Sequence, residues 1–264
     1  RHNHDHEIPF LPPGLRHLAF GDAFDQCLDN IILPSTLFRL EFGRHFNQSL
    51  DHTTLPSGLM HLQFGMFFNQ SLDKTQLPSA LQSLTFGEHF NQSLANTRLP
   101  SGLQSLTFGA GFNQMLNNTT LPSSIQSLTF GMSFNQPLNR PVRLPAALRY
   151  VEFGDAFNQS LEGVNLPAGI TVLKFGRFFN QTLDRTTLPA RLQRLRFGEY
   201  FNQSLVNTAF PPGLQTLTFG THFNQSLDRV RIPRSLECIA FGSGFHKSLE
   251  NSGLPDSITV MVLS

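Results

Sequence analysis

Leu103-Gln-Ser-Leu106-Thr-Phe108-Gly109-Ala-Gly-Phe112-Asn113-Gln114-Met-Leu116, closed by Leu121-Pro122, decides the fold, because the chain repeats this unit from end to end. Its general form is Leu-Pro-x-x-Leu-x-x-Leu-x-Phe-Gly-x-x-Phe-Asn-Gln-x-Leu. Copies begin at Leu11, Leu33, Leu55, Leu77, Leu99, Leu121, Leu144, Leu166, Leu188, Phe210 and Ile232, with a truncated twelfth at Leu254. The pitch is 22 residues, except for one 23-residue copy in which Arg140-Pro141-Val142 adds a position. A fixed period in this range marks a solenoid, in which each unit buries its apolar face only against its neighbours.

Within each copy the Leu-x-Phe segment alternates apolar with polar, the period of a half-buried strand. The strand is short, because the proline two residues into the copy cannot donate to a ladder and the preceding Leu-Pro is an extended corner. No 3.6-residue apolar stripe runs through the copies, and proline and glycine punctuate every turn. The expectation is an all-β chain: a parallel β-solenoid of about eleven coils with few or no α-helices, residues 1–10 as a terminal tail and 11–264 as one repeat unit.

Phenylalanine fills both aromatic slots of every full copy, in columns from Phe20 to Phe241 and from Phe24 to Phe245 that include Phe108 and Phe112. Stacked rings burying roughly 150–250 Å² each, at about 25 cal/mol per Å², make these columns core. Glycine follows the first phenylalanine throughout, as at Gly109, which points to a turn of positive φ or to coils approaching too closely for a Cβ. Asparagine follows the second phenylalanine in copies two to ten, and Asp25 and His246 replace it in the terminal copies. An amide column bonding between coils explains this. Most of these asparagines are formal glycosylation sequons, yet Asn113 and Asn135 persist where the sequon is lost, so the column reads as structural. Asn117 and Asn118 are the better acceptors for a secreted chain.

Composition narrows the functions. A net charge of +1 gives no general pull toward nucleic acid or anionic lipid, and no run of about 18 apolar residues spans a membrane. Cys27 and Cys238 lie about ten coils apart, too far to pair, which leans toward a reducing, cytoplasmic compartment. His2, His4 and His6, interleaved with Asp5 and Glu7, read as a solvated tail rather than a metal site. Acidic residues recur after the Leu of the Phe-Asn-Gln unit (Asp51, Asp73, Glu162, Asp184, Asp228, Glu250) beside Lys74, Arg185 and Arg229, the pattern of a solvated ion-pair edge rather than of paired catalytic carboxylates. There is no phosphate loop, cysteine cluster or nucleophile elbow, so neither an enzyme nor a cofactor is expected.

Phe-Asn-Gln-x-Leu followed by Leu-Pro-x-x-Leu-x-x-Leu-x-Phe-Gly resembles the FNIP repeat family, a relative of leucine-rich repeats, over residues 11–263. The tetrapeptide Phe-Asn-Ile-Pro that names the family stands here as Phe-Asn-Gln-Ser, with Pro137 the only proline in its slot. The resemblance implies a leucine-rich-repeat-like solenoid serving as an interaction module, with no catalytic residue.

Function then belongs to the positions that the repeat leaves free. Paired slots flank each strand leucine, with a Ser/Thr array at the centre (Ser83/Thr85, Ser105/Thr107, Ser127/Thr129) and a varied segment of Tyr150/Glu152, Val172/Lys174 and Arg194/Arg196. Tyrosine and arginine there are the expected anchors for a protein partner. Just before the second phenylalanine run two aromatic ladders, His45, Phe67, His89 and Phe178, Tyr200, His222, readable as contact patches, as sugar-stacking platforms, or as rings folded over the solenoid edge. Histidines within a ladder, two coils or about 10 Å apart, are too distant to share a zinc ion. The final strand carries Val260 and Val262 in its outward slots, an apolar edge expected to dock on another chain or to continue into a further segment. The leading expectation is therefore a non-enzymatic scaffold for a protein partner or larger assembly; the alternative is binding to a glycan or ordered surface.

Overall fold

The computed structural model describes residues 11–29, 31–139 and 142–263; the histidine-rich segment 2–6 lies outside them. Twelve strands form a single parallel sheet in chain order: β1 (His17–Ala19), β2 (Arg39–Glu41), β3 (His61–Gln63), β4 (Ser83–Thr85), β5 (Ser105–Thr107), β6 (Ser127–Thr129), β7 (Tyr150–Glu152), β8 (Val172–Lys174), β9 (Arg194–Arg196), β10 (Thr216–Thr218), β11 (Cys238–Gly242) and β12 (Thr259–Leu263). No helix occurs among the described residues.

Three β-turns close each coil, which is why no helix is needed to bring the chain round. In the fifth copy Leu103 N–H donates to Pro100 C=O (3.0 Å), Phe112 to Gly109 (3.3 Å) and Thr119 to Leu116 (3.0 Å). Bonds beyond the three-residue strands lengthen the inter-coil ladder. Gln104 and Ser105 N–H both donate to Gln82 C=O (2.8 and 2.9 Å), and Phe108 N–H donates to Thr129 C=O (2.9 Å) in the next coil. The strand leucines point inward and are buried, while the residues flanking them face out.

Both phenylalanine columns are continuous. Phe108 and Phe112 stack face to face within their coil (centroids 3.8 Å apart), and each lies parallel to its equivalent in the next coil, at 5.7 Å for Phe130 and 6.1 Å for Phe134. The added residue of the 23-residue copy does not disturb them. Phe130–Phe153 and Phe134–Phe157 keep separations of 5.6 and 6.1 Å, so the extra position is absorbed outside the stacked columns.

The asparagine column bonds from coil to coil. Asn113 Oδ1 accepts both Asn135 N–H (2.9 Å) and Gln136 Nε2–H (3.1 Å), a pattern that recurs along the solenoid and gives the glutamine column a role the sequence alone did not reveal. Asp25 starts the ladder with a carboxylate doing the same for Asn47 and Gln48. His246 ends it, contributing only its N–H to Asn224 Oδ1.

The glycine column is explained by close approach. A Cβ on Gly109 would lie 2.0 Å from the carbonyl oxygen of Gly87, whereas positive φ among described glycines is confined to Gly163 and Gly253, outside this column. Gly109→Ala is expected to destabilise the solenoid by about 1–3 kcal/mol, as overpacking does, whereas Gly213→Ala, with no atom within 4 Å of the added methyl, changes stability by less than about 0.5 kcal/mol. Urea denaturation of the two variants measures the contrast.

The acidic edge is corrected by the structure. Asp29, Asp51 and Asp73 accept hydrogen bonds from the buried hydroxyls of Thr53, Thr75 and Thr97 one coil on (3.5, 3.3 and 3.0 Å). Of the ion pairs expected along this edge, only Arg185–Glu162 (3.1 Å) forms among the described residues. Where the acid slot is apolar at Val206, the next coil carries a buried Val230 in the threonine slot. The two slots disagree at Ala95, and the buried hydroxyl of Thr119 has no partner. The Thr208 hydroxyl is also unpartnered, with Asp184 bonded to Asn207 Nδ2 instead (3.3 Å). Supplying the missing acceptor by Ala95→Asp is expected to stabilise the chain by about 1 kcal/mol. The same denaturation assay tests this, with Thr119→Val in combination abolishing the gain.

The last strand departs from the repeat. Every other strand pairs 22 or 23 residues onward, as in Thr216↔Cys238, but β12 pairs at 21, with Cys238↔Thr259, Ile239↔Val260 and Phe241↔Val262. Elsewhere two successive N–H groups share one carbonyl before the strand begins. Here Thr259 N–H alone takes Glu237 C=O (2.9 Å), and pairing starts one residue early. A one-residue shift exchanges the two faces of a strand. Val260 and Val262 therefore align with the inward column rather than the outward slots expected for them, and they remain exposed at the sheet edge (45% and 74%).

Candidate interaction surface

The side chains that flank the strand leucines form a broad surface on which the residue type changes along the solenoid. In-register pairing places Ser83, Ser105 and Ser127 in one row and Thr85, Thr107 and Thr129 in another, a flat hydroxyl array three coils deep. Beyond it β7–β9 bring Tyr150, Glu152, Lys174, Arg194 and Arg196 together.

These five residues divide into a fixed group and a free one. Tyr150 OH donates to Glu152 Oε2, Lys174 Nζ donates to Tyr150 OH (2.8 Å), and Lys174 also pairs with Glu152 (3.5 Å). Partial burial, aided by the hydrogen bond to Glu152, raises the Tyr150 phenol above its ordinary range. The bond to Tyr150 raises Lys174 likewise, so the pair stays protonated. Arg194 and Arg196, both exposed on β9, make no ion pair or side-chain hydrogen bond among the described residues.

Beside this patch lies an open depression of about 360 Å³. Gly176 and Gly198 line it between two rows of variable side chains, Glu152, Lys174 and Arg196 on one side and Asp155, Arg177 and Glu199 on the other. The glycines demanded by coil packing thus leave a trough in the surface. Arg177 pairs with Glu199 (2.7 Å), which raises the guanidinium further.

Both aromatic ladders are stacked. Phe67 lies between His45 (5.1 Å) and His89 (4.8 Å), and Tyr200 between Phe178 (5.3 Å) and His222 (4.4 Å). Arg44 covers Phe67, and Arg177 covers both Phe178 and Tyr200. Small residues bound the ladders: Ala23 and Gly111 flank the first, Ala156 and Gly244 the second. Phe67 and Tyr200 therefore each have both faces taken by neighbouring rings.

The FNIP Repeat profile matches residues 2–45, 32–67, 46–89, 68–111, 112–156, 157–200, 179–222, 201–244 and 223–264. The chain belongs to the FNIP repeat family. Among solved structures, this FNIP solenoid is similar to CroV588, described as a novel circular leucine-rich-repeat protein, with 38% identity and a TM-score of 0.80 over 96% of this chain and 40% of that one. It also shares its fold with YopM from Yersinia enterocolitica WA-314, at 19% identity and a TM-score of 0.55 over 96% of this chain and 60% of that one. No curated protein sequence matches. The FNIP chain is thus a repeat solenoid of leucine-rich-repeat type, a fold commonly used for protein–protein interaction and typically non-enzymatic. It spans under half the length of the circular protein.

One substitution measures what the stacking contributes. Tyr200→Ala removes both stacks of the second ladder and is expected to lower stability by about 1 kcal/mol or more. A melting curve of the variant checks this.

Proposed function

We propose that this FNIP solenoid is a non-enzymatic scaffold that binds a protein partner through its strand face, centred on β7–β9. The observation that carries the reading is the division of positions. The recurring phenylalanines, leucines, asparagines and glycines are consumed by contacts between coils, while the slots around the strand leucines are half-buried or exposed and, outside the three-coil Ser/Thr array, change in residue type. Tyr150 and the two arginines of β9 are the residue types that anchor protein interfaces, and Tyr150 is held in place by Glu152 and Lys174 before any partner arrives. The glycan alternative has less support, because the aromatic faces it needs are stacked on one another.

The test uses the immobilised chain and extract of the cells that produce it. A protein retained by the native chain is expected to be lost with Tyr150→Ala/Arg194→Glu/Arg196→Glu, whose melting temperature stays within a few degrees of the native value. Retention unchanged by that triple substitution, and abolished instead by changes at the Leu-Pro corners, would place the contact elsewhere.

A further inference from the structure

Resting on the strand-face reading, we propose that the depression beside β8 and β9 is a seat for the carboxylates of an acidic, extended segment of a protein partner. The chain itself supplies the precedent. Asp155 Oδ1 accepts the N–H of Arg177 one coil on (3.2 Å), and Asp22 does the same for Arg44 (3.2 Å), so a carboxylate fits the N–H that follows the column glycine. One coil further, the slot held by Asp155 is occupied by Arg177, which has no acceptor to offer. The N–H of Glu199 accordingly has no partner among the described residues, and Glu199 is one of the residues that line the depression with Arg196 and Lys174.

Charge favours the same occupant. Lys174 is matched by Glu152 and Glu199 by Arg177, and the Asp155 carboxylate is taken up by Arg177 N–H, which leaves Arg194 and Arg196 as the cations of this patch without a partner among the described residues. The two arginines stand two residues apart on one face of β9, about 7 Å, the spacing of alternate side chains on an extended chain. A carboxylate seated at Glu199 N–H meets the Arg196 guanidinium as well, and an acid two residues away along the segment reaches Arg194, each a charge-assisted hydrogen bond. Glu152, Asp155 and Glu199 around the rim disfavour a continuous polyanion, so discrete carboxylates suit the site better than a nucleic-acid backbone.

The probe is a fluorescein-labelled twelve-residue peptide of alternating glutamate and serine, followed by anisotropy at physiological salt. Binding is expected, with at least about a tenfold loss in Arg194→Gln/Arg196→Gln, which corresponds to about 1.4 kcal/mol. Arg231→Gln/Arg234→Gln, which removes the same charge at the corner before β11, is expected to leave binding unchanged. Arg177→Asp, which places an internal carboxylate where Asp155 sits one coil earlier, is expected to block the peptide. Equal losses in the two double variants, no binding at all, or tighter binding of a dT12 oligonucleotide would each overturn the assignment. If the peptide fails while the triple strand-face variant still loses its protein partner, the acidic specificity falls and the strand face stands. If the peptide binds as expected while the triple variant keeps its partner, the seat stands and the wider reading falls.

Discussion

The distance between successive coils is the constraint from which everything else in this solenoid follows. Parallel strands pair at about 4.8 Å, and the backbone around the Phe-Gly turn must follow at nearly that separation. At Gly109 the approach is so close that even a methyl group would overlap the preceding carbonyl. Once the coils are held this near, each side chain meets its own equivalent above and below. Only residue types that satisfy themselves in a column survive there: phenyl rings that lie parallel, leucines that fill one another's gaps, and asparagines whose oxygen serves the next coil. The same spacing explains the tolerance of the 23-residue copy, because a residue added away from the columns leaves every stacked contact in place.

The amide ladder also accounts for what happens at its ends. An asparagine within the stack has one task toward the following coil, to accept two hydrogen bonds, and Asp25 performs it with a carboxylate. His246 carries no amide oxygen, and its part in the ladder is the N–H that it donates to Asn224 Oδ1. The two departures from asparagine thus keep the direction of the bonds: Asp25 accepts from the coil after it, and His246 donates to the coil before it.

The architecture was legible in the sequence because a solenoid writes its core as a period. The Leu-x-Phe alternation placed the strands, and the recurrence of Phe108, Gly109, Phe112 and Asn113 equivalents identified the columns. What the period does not encode is distance and direction between coils. It left open whether Gly109 serves positive φ or close approach, and it gave no hint that the glutamine after each column asparagine is a donor to the preceding coil. It also read the acids at Asp51 and Asp73 as ion-pair partners, since a threonine 24 residues onward is not a neighbour until the coils are wound. For β12 the period itself misled. Without a Phe-Gly pair to lock it, Thr-Val-Met-Val-Leu starts pairing one residue early, and the faces of Val260 and Val262 exchange.

The site was half legible for a related reason. Sequence singled out Tyr150, Lys174, Arg194 and Arg196 by their departure from the repeat, but it could not separate residues bonded to each other from residues left free. The structure draws that line between the Tyr150–Glu152–Lys174 group and the two arginines of β9. It also shows why a trough runs beside them. A glycine required for coil packing removes side chains from a continuous strip of surface, and the variable residues on either side become its walls. In this solenoid the most invariant position therefore shapes a strip of surface whose walls change in charge from coil to coil.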